Sequence, residues 1–479
     1  MSAMTIPMAP NTATNEEISS IFDAQRAYAA EAGHSSAKER KAKIKLIHTY
    51  TMDHLDDIME AMHKDFRKPP AEVILGEILT VVSDAKHNMK KLSKWMKPKR
   101  VPMPLTLIGT SSHIRRDSKG NVLVLSPWNY PYNLAIGPLI SSLAAGNVTM
   151  IKPSEMTPHT SALMHKMIDE LFDQKEVALI EGNVQVAQHL LSLPFNHVHF
   201  TGSPQVGKIV MKAAAEHLAS VTLELGGKSP TIVDETASIK TVAERIAWGK
   251  CLNNGQTCIA PDYLLVQNSV KDTFISAFKH SIDSMYNGID QVGQSDSYAR
   301  IVNRRHFDRI KGILEDAVEK GATVELGGEW REEDNFIAPT LLTNVSSDMR
   351  IMQEEIFGPL MPMMTYDKKE DALAAMQEHE APLVMYVNSK NKKNIDYFLD
   401  NVPSGDAVVN ETLVHFAHPG LPFGGKNNSG IGKSSGYSGF CDMTHERSVM
   451  VQKFGTLKPF YPPYNDQVLK ILKMVLKIS

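Results

Sequence analysis

The sequence predicts an α/β protein built on two parallel sheets. Three observations predict it. Five short apolar runs, at 122–125, 148–151, 177–180, 197–200 and 222–225, have the length and composition of buried strands. Helical patterns near 136–145, 161–172 and 205–217 alternate with them, which is the βαβ rhythm of a parallel sheet covered on both faces. A second alternation opens at 229–233 and runs through helical 237–253 to Val408-Val409-Asn410. A chain of 479 residues is also too long for one simple core, so two or three domains are expected.

Upstream of the first strand the chain is helical. Thr14-Asn15-Glu16-Glu17 is a capping box that opens a first helix. Helical periodicity follows over about 36–66 and 70–95. Pro102 and Pro104 end it. Ser118-Lys119-Gly120-Asn121, between 113–117 and the apolar run 122–125, reads as the turn of a hairpin. The break between the two α/β runs falls at Gly226-Gly227. The chain ends in a helix with Leu469, Leu472 and Leu476 on one face and Lys470, Lys473 and Lys477 on another. Such a helix lies on a membrane surface or docks on the protein or a second copy, and docking is the preferred reading.

Composition narrows the class. A formal charge of −3 with no long basic run argues against nucleic acid. Cys251, Cys258 and Cys441 are the cysteines; an odd count without CxxC spacing argues against a disulfide framework and against zinc. A reducing, cytoplasmic setting is expected. The first residues carry no basic segment followed by an apolar core, so no signal peptide is expected, and no run of 18 apolar residues predicts a membrane span.

Cys258 lies in Gly255-Gln256-Thr257-Cys258-Ile259-Ala260, and Glu224 opens Glu224-Leu225-Gly226-Gly227-Lys228. A thiol and a carboxylate, each beside glycines, suggest nucleophile and base. The alternative is a cysteine serving as a small buried hydrophobe. With Glu224 at the edge of the first α/β unit and Cys258 in the second, the two meet in an interdomain cleft.

Gly202-Ser203-Pro204-Gln205-Val206-Gly207-Lys208-Ile209 follows a strand and opens a helix. Ile209 stands where a P-loop carries its magnesium-binding hydroxyl, which argues against an NTPase. Main-chain N–H groups at the helix start, with Gly202 and the Ser203 hydroxyl, suit the pyrophosphate of a dinucleotide; a plain helix cap is the alternative. Lys152 and Glu155 follow another strand, where an acid can take ribose hydroxyls or simply be solvated. Asn129, in Ser126-Pro127-Trp128-Asn129-Tyr130-Pro131, is an amide donor for an oxyanion or a turn residue. Glu355 and Phe357, in Glu354-Glu355-Ile356-Phe357-Gly358-Pro359, offer a carboxylate for a ribose diol and a ring, or a surface acidic pair.

Taken in order over nearly the whole chain, these segments resemble the aldehyde dehydrogenase superfamily. The motifs are Pro127-Trp128-Asn129-Tyr130-Pro131, Lys152-Pro153-Ser154-Glu155, Phe200-Thr201-Gly202-Ser203, Glu224-Leu225-Gly226-Gly227-Lys228, Gly255-Gln256-Thr257-Cys258, Glu355-Ile356-Phe357-Gly358-Pro359 and Leu421-Pro422-Phe423-Gly424-Gly425. Cys258-Ile259-Ala260-Pro261-Asp262-Tyr263 and the Tyr461-Pro462-Pro463-Tyr464 tail resemble the class 3 branch, which includes fatty, aromatic and coniferyl aldehyde dehydrogenases. Lys426 departs from the small or apolar residue common after Phe423-Gly424-Gly425.

The resemblance implies a Rossmann-like NAD(P)-binding domain (1–97 and 121–226), a catalytic domain (227–432), a bridging element (98–120 and 433–460) and an amphipathic tail (461–479). It implies a homodimer. It implies that Cys258 attacks the aldehyde, that Asn129 and the Cys258 N–H hold the oxyanion, and that hydride leaves for the nicotinamide. Glu224 then activates water against the thioester. Lys152 and Glu155 would contact the adenosine ribose, Ser203 and Gly202 the pyrophosphate, and Glu355 with Phe357 the nicotinamide ribose; Trp128 joins this cofactor-binding set. No metal is implied. NAD is expected from Glu155, with NADP use open. The expected substrate is a medium- or long-chain aliphatic or an aromatic aldehyde. A CoA-acylating relative and a binding protein that keeps the fold are the alternatives. The intact set of Asn129, Glu224 and Cys258 argues against the second, and a water-activating base argues against the first.

Overall fold

The computed structural model describes residues 13–455 and 458–477. Residues 1–12, on which the signal-peptide reading rests, lie outside that range. The capping box forms as expected: Glu17 N–H donates to the Thr14 hydroxyl and the helix runs Asn15–His34. A second capping box at Ser36 opens Ala37–Asp53. The periodicity over 36–66 covers two helices, because His54 leaves helical geometry before Leu55–Phe66 begins. The 70–95 stretch contains Pro70–Val73, a π-helical turn at Ile74–Ile78, and Leu79–Trp95. Such wide turns aim side chains that a regular helix would place elsewhere.

The first sheet has six strands, in the order Gly430–Ile431, Ser220–Leu225, His197–Gly202, Asn121–Leu125, Val148–Lys152, Val177–Leu179. All its pairings are parallel except that of Gly430–Ile431. Strand alternation sends Val122 and Val124 into one apolar cluster and Leu123 and Leu125 into another. Both faces are therefore dry, which is why the strand reads as a continuous apolar run. Helix Asn133–Ala145 is buried at nearly every position and stops at Gly146, whose φ of 82° suits glycine. Helix Val184–Ser192 escaped the sequence pattern; it is only nine residues long.

The second sheet has seven strands, in the order Thr323–Leu326, Thr340–Thr343, Leu360–Tyr366, Tyr263–Gln267, Pro230–Val233, Val384–Asn388, Asp406–Val409. Ile232 and Leu265 enter one cluster, Val233 and Leu264 another. It too is covered on both faces.

The expected hairpin at 113–125 does not form. Thr110–Ser118 pairs antiparallel with Lys99–Val101 and with Thr444–Gln452 in a separate three-stranded sheet. Asn121–Leu125 pairs only with strands of the first sheet. The physical reason is burial. All five residues of Asn121–Leu125 are buried, whereas Thr110–Ser118 is only half-buried and takes a largely exposed partner. Turn chemistry at 118–121 was legible; the two strands it joins diverge.

In the first sheet the chain runs outward from Asn121–Leu125 to Val148–Lys152 and Val177–Leu179, then returns to the other side of Asn121–Leu125 with His197–Gly202. The strand order thus reverses between Leu125 and Phe200. The crevice beyond the C-terminal strand ends at such a switch point is where ligands bind on open α/β sheets. Ser126–Asn129 on one side and Gly202–Ser203 on the other are its lips. Among the described residues no helix is long and apolar enough to cross a membrane.

Leu139, fully buried within the first cluster, is expected to carry a large share of this packing. Leu139→Ala should cost about 2–5 kcal/mol in chemical denaturation; a loss under 1 kcal/mol would show that this helix is not a core element.

Candidate active site

Cys258 stands on an unusual turn. Helix Ile239–Cys251 ends, and Asn253, Asn254 and Gly255 follow with φ of 52°, 57° and 70°. Asparagine and glycine are the residues that enter the left-handed region most readily. A Cβ at Gly255 would collide with the Gly358 carbonyl, so glycine is required there for space as well. The turn is bolted down by its own amides. Asn253 Nδ2 donates to Gln256 O at 3.1 Å, Gln256 Nε2 to Arg300 O at 2.9 Å, and Val302 N–H to Gln256 Oε1 at 3.0 Å.

Asn129 is buried and faces the same turn. Its Nδ2 donates to Gln256 O at 3.0 Å, and Asn253 Nδ2 donates to Asn129 O at 2.9 Å. One Nδ2–H is thereby used, and a second remains. Tyr130 OH and Thr257 Oγ1 lie 2.8 Å apart beside it.

Glu224 lies in the buried end of strand Ser220–Leu225 and pairs in register with Gly430. Ser434 Oγ donates to its Oε1 at 2.9 Å, while Oε2 is buried without a partner. Burial raises its pKa to about 8, against hydrogen bonding from Ser434 and the charge of Lys433. Glu355 is likewise raised to about 8 by burial, with Asp262 adding to the shift. Burial pushes the Cys258 thiol far up, and the Glu355 and Glu224 carboxylates push the same way; the Cys258 and Ile259 N–H groups favour the thiolate.

Two cavities meet at these groups. One is apolar, lined by Leu75, Leu79, Trp248, Leu252 and Phe416 among others. The other is more polar and larger, about 640 Å³ against about 200 Å³, and is lined by Trp128, Asn129, Gly202, Ser203, Glu355 and Phe357 among others. Cys258, Glu224 and Thr201 line both.

The polar cavity suits a dinucleotide on several counts. It opens at the switch point. Ser203 caps the thirteen-residue helix Pro204–Glu216, accepting from Val206 N–H at 3.4 Å, and the Gln205 N–H of the first turn is left beside it. A Cβ at Gly226 would strike the Glu355 carboxylate, so the chain must be glycine for Glu355 to reach the wall. Phe357 holds φ of 47°, a conformation rare outside glycine, and its ring meets the Trp128 ring edge-on at 5.3 Å. Lys152 and Glu155 are not among the residues lining this cavity. They pair with each other at 3.0 Å at the end of the neighbouring strand, Lys152 buried and Glu155 half-buried. Among the described residues no group of three or more His, Cys, Asp or Glu is placed to hold a metal ion.

Two buried clamps escaped the sequence reading. Lys68 is fully buried. Its Nζ donates to Glu77 Oε1 at 2.6 Å and to Asn129 O at 3.2 Å, and it lies 3.8 Å from the centre of the Tyr130 ring. Glu77, on the π-helical turn, also accepts from Asn133 N–H, and Glu72 accepts from Asn253 N–H. The second clamp is Lys228 with Asp262. Lys228 also donates to Ile351 O and Glu354 O, and Asp262 accepts from Ile356 N–H, which fixes the Glu355 loop. The available signal was acids and a lysine placed inside or beside apolar helical runs, at Lys68, Glu72 and Glu77.

A two-sheet α/β frame with a thiol and a raised carboxylate between an apolar and a polar cavity defines an oxidoreductase of the aldehyde dehydrogenase type. The Aldehyde dehydrogenase family model matches residues 5–449. The 4,4'-diaponeurosporen-aldehyde dehydrogenase of Staphylococcus aureus is 41% identical over 91% of this chain and 94% of its own length. Aldehyde dehydrogenase family 3 member A2 of Pongo abelii is 37% identical over 88% and 87%. The solved substrate-bound state of Staphylococcus aureus AldH superposes with a TM-score of 0.91 at 40% identity, covering 96% of this chain and 99% of that one. The chain belongs to the aldehyde dehydrogenase family, with class 3 enzymes among its relatives. It is an oxidoreductase that oxidises aldehydes to acids, in a family that uses NAD(P).

Lys68→Ala should leave the Glu77 charge buried without its partner and cost about 3–5 kcal/mol of stability. Lys68→Met with Glu77→Gln should recover much of it in the same denaturation assay. A single variant as stable as the parent would contradict the clamp.

Proposed function

We propose that the chain oxidises medium- or long-chain aliphatic or aromatic aldehydes with NAD, through a thioester on Cys258 that Glu224 hydrolyses. The observation that carries this reading is that Cys258 and Glu224 line both the apolar and the polar cavity. An aldehyde entering through apolar walls reaches the thiol from one side. A nicotinamide held on the other side by Glu355, Phe357 and Trp128, with its pyrophosphate on Gly202 and Ser203, accepts hydride when bound.

The chain's own groups perform the remaining steps. The Cys258 and Ile259 N–H groups favour the thiolate. Its sulfur bonds to the aldehyde carbon, and the carbonyl electrons pass to oxygen. The remaining Nδ2–H of Asn129 and the Cys258 N–H stabilise that oxyanion. Its collapse drives the hydrogen off as hydride and leaves a thioester. Glu224 takes a proton from water as the water oxygen adds to the thioester carbon. The C–S bond then breaks, the thiolate returns and the acid departs. A carboxylate held at about pKa 8 is matched to this work near neutral pH.

Glu155 pairs with Lys152 outside the polar cavity, so the choice of NAD rests on the resemblance in sequence rather than on a contact of Glu155 with the cavity. Hydrolysis is favoured over transfer to CoA because Glu224 keeps a free oxygen for water. Homodimer formation is supported by two exposed apolar groups: Met450 and Val451 on the edge strand Thr444–Gln452, with Phe454 after it, and Leu469, Leu472 and Leu476 on the terminal helix. A cytoplasmic setting accords with three free cysteines.

Cys258→Ala should abolish aldehyde-dependent NAD reduction while cofactor binding by calorimetry persists; residual turnover would mean another nucleophile. Hydrolysis of the acyl-enzyme should accelerate with rising pH and level off above about pH 8, because a protonated Glu224 cannot accept a proton. A rate that is flat from pH 6 to 9 would assign the base elsewhere. In sedimentation velocity the protein should run as a dimer, and removal of residues 465–479 should weaken the association. A monomer at micromolar concentration would contradict the dimer.

A further inference from the structure

Beneath Glu224 the first sheet carries a file of buried polar side chains on one face. Strands His197–Gly202 and Ser220–Leu225 run in parallel with Thr201 opposite Glu224 and His199 opposite Thr222. Side chains two apart share a face, so His197, His199 and Thr201 stand in a row beside Thr222 and Glu224. The lower members are satisfied: His197 Nε2 meets Thr222 Oγ1 at 3.0 Å, and His197 Nδ1 meets Ser220 Oγ at 2.9 Å and Lys119 Nζ at 3.1 Å. The upper members are not. His199 Nδ1, Thr201 Oγ1 and Glu224 Oε2 are all buried and without a hydrogen-bond partner. These residues are 2%, 8% and 5% exposed, and all three line the apolar cavity at Cys258.

Leaving three such groups without partners at neighbouring positions of one cavity wall costs stability, and buried polar clusters are commonly satisfied by water that makes two to four hydrogen bonds. Burial, aided by the charge of Lys119, lowers the His199 pKa to about 4, so its ring is neutral and can both donate and accept.

We propose that His199, with Thr201, holds the hydrolytic water against the free oxygen of Glu224. His199 is a positioning residue: it orients the water so that one proton points at Glu224 Oε2 and a lone pair points at the thioester carbon. The water oxygen forms the new C–O bond, its proton passes to Glu224, and the C–S electron pair returns to the Cys258 sulfur. Glu224 yields that proton to solvent before the next turnover. The proposal rests on the reading of Glu224 as base.

The test follows the full-length enzyme after rapid mixing with NAD and decanal. Acid-quenched intact mass reports acyl-enzyme decay, and absorbance reports the burst of reduced cofactor. For His199→Phe the expected result is an unchanged burst and acyl-enzyme decay slowed by about tenfold or more, the factor that one positioned hydrogen bond supplies. His199→Gln, which keeps a donor and an acceptor, should decay within about threefold of the parent. Thr201→Val should show slowed decay even if His199→Phe folds poorly by thermal melt. Parental decay in His199→Phe, or equal slowing in His199→Gln, would overturn the proposal. Glu224→Gln run alongside separates the two claims. If it fails to accumulate acyl-enzyme, the base assignment itself is wrong; if it accumulates while His199→Phe decays normally, only the water-holding role fails.

Discussion

The structure depends on a reciprocal pair of hydrogen bonds between two loops that come from different sheets. Asn129 donates its side-chain amide to Gln256 O, and Asn253 donates its own to Asn129 O. The first loop leaves the first sheet at its switch point. The second carries Cys258 within the other α/β run. Each bond is ordinary in strength, but together they fix an amide donor relative to a thiol. Catalytic groups held to within fractions of an ångström gain far more than the bonds that hold them contribute to stability. The left-handed turn at 253–255, the Lys68–Glu77 pair and the Tyr130–Thr257 contact all serve this junction.

The electrostatics of the site oppose the thiolate in the protein by itself. Burial, Glu355 and Glu224 all push the thiol upward. Yet both acids are themselves raised to about 8, so near neutral pH each is largely protonated and the penalty on the thiol is eased. One arrangement thus serves two stages. In the proposed mechanism a protonated Glu224 would tolerate thiolate formation, and an ionised Glu224 would accept the proton of water later. Pairs of groups whose surroundings move their pKa values are how one fold runs acid and base chemistry.

Much of the frame was legible in the sequence because burial on both faces of a parallel sheet leaves unbroken apolar runs, as at Asn121–Leu125. The helix caps were legible because Thr14 and Ser36 carry a local chemistry that needs no tertiary context. The hairpin was misread because turn residues at 118–121 report a change of direction, not which strands pair. Cys258, Glu224, Asn129, Ser203, Glu355 and Phe357 gather around the two cavities. Lys152 and Glu155 stop at a neighbouring strand end. Lys68, Glu72, Glu77 and Asp262 escaped detection because their work is done across long sequence separations, where a lysine's neighbours in the chain say nothing of its partner.

The proposed chemistry turns on a covalent acyl group on one sulfur. The most direct measurement digests Glu224→Gln after an acid quench from NAD and decanal, and locates the adduct by peptide mass spectrometry. Fragment ions should place the mass of a decanoyl group on Cys258 and not on Cys251, which shares its tryptic peptide, the peptide containing Cys441 should stay unmodified, and hydroxylamine should remove the adduct. An unmodified Cys258 peptide, with reduced cofactor formed in the same sample, would contradict that chemistry.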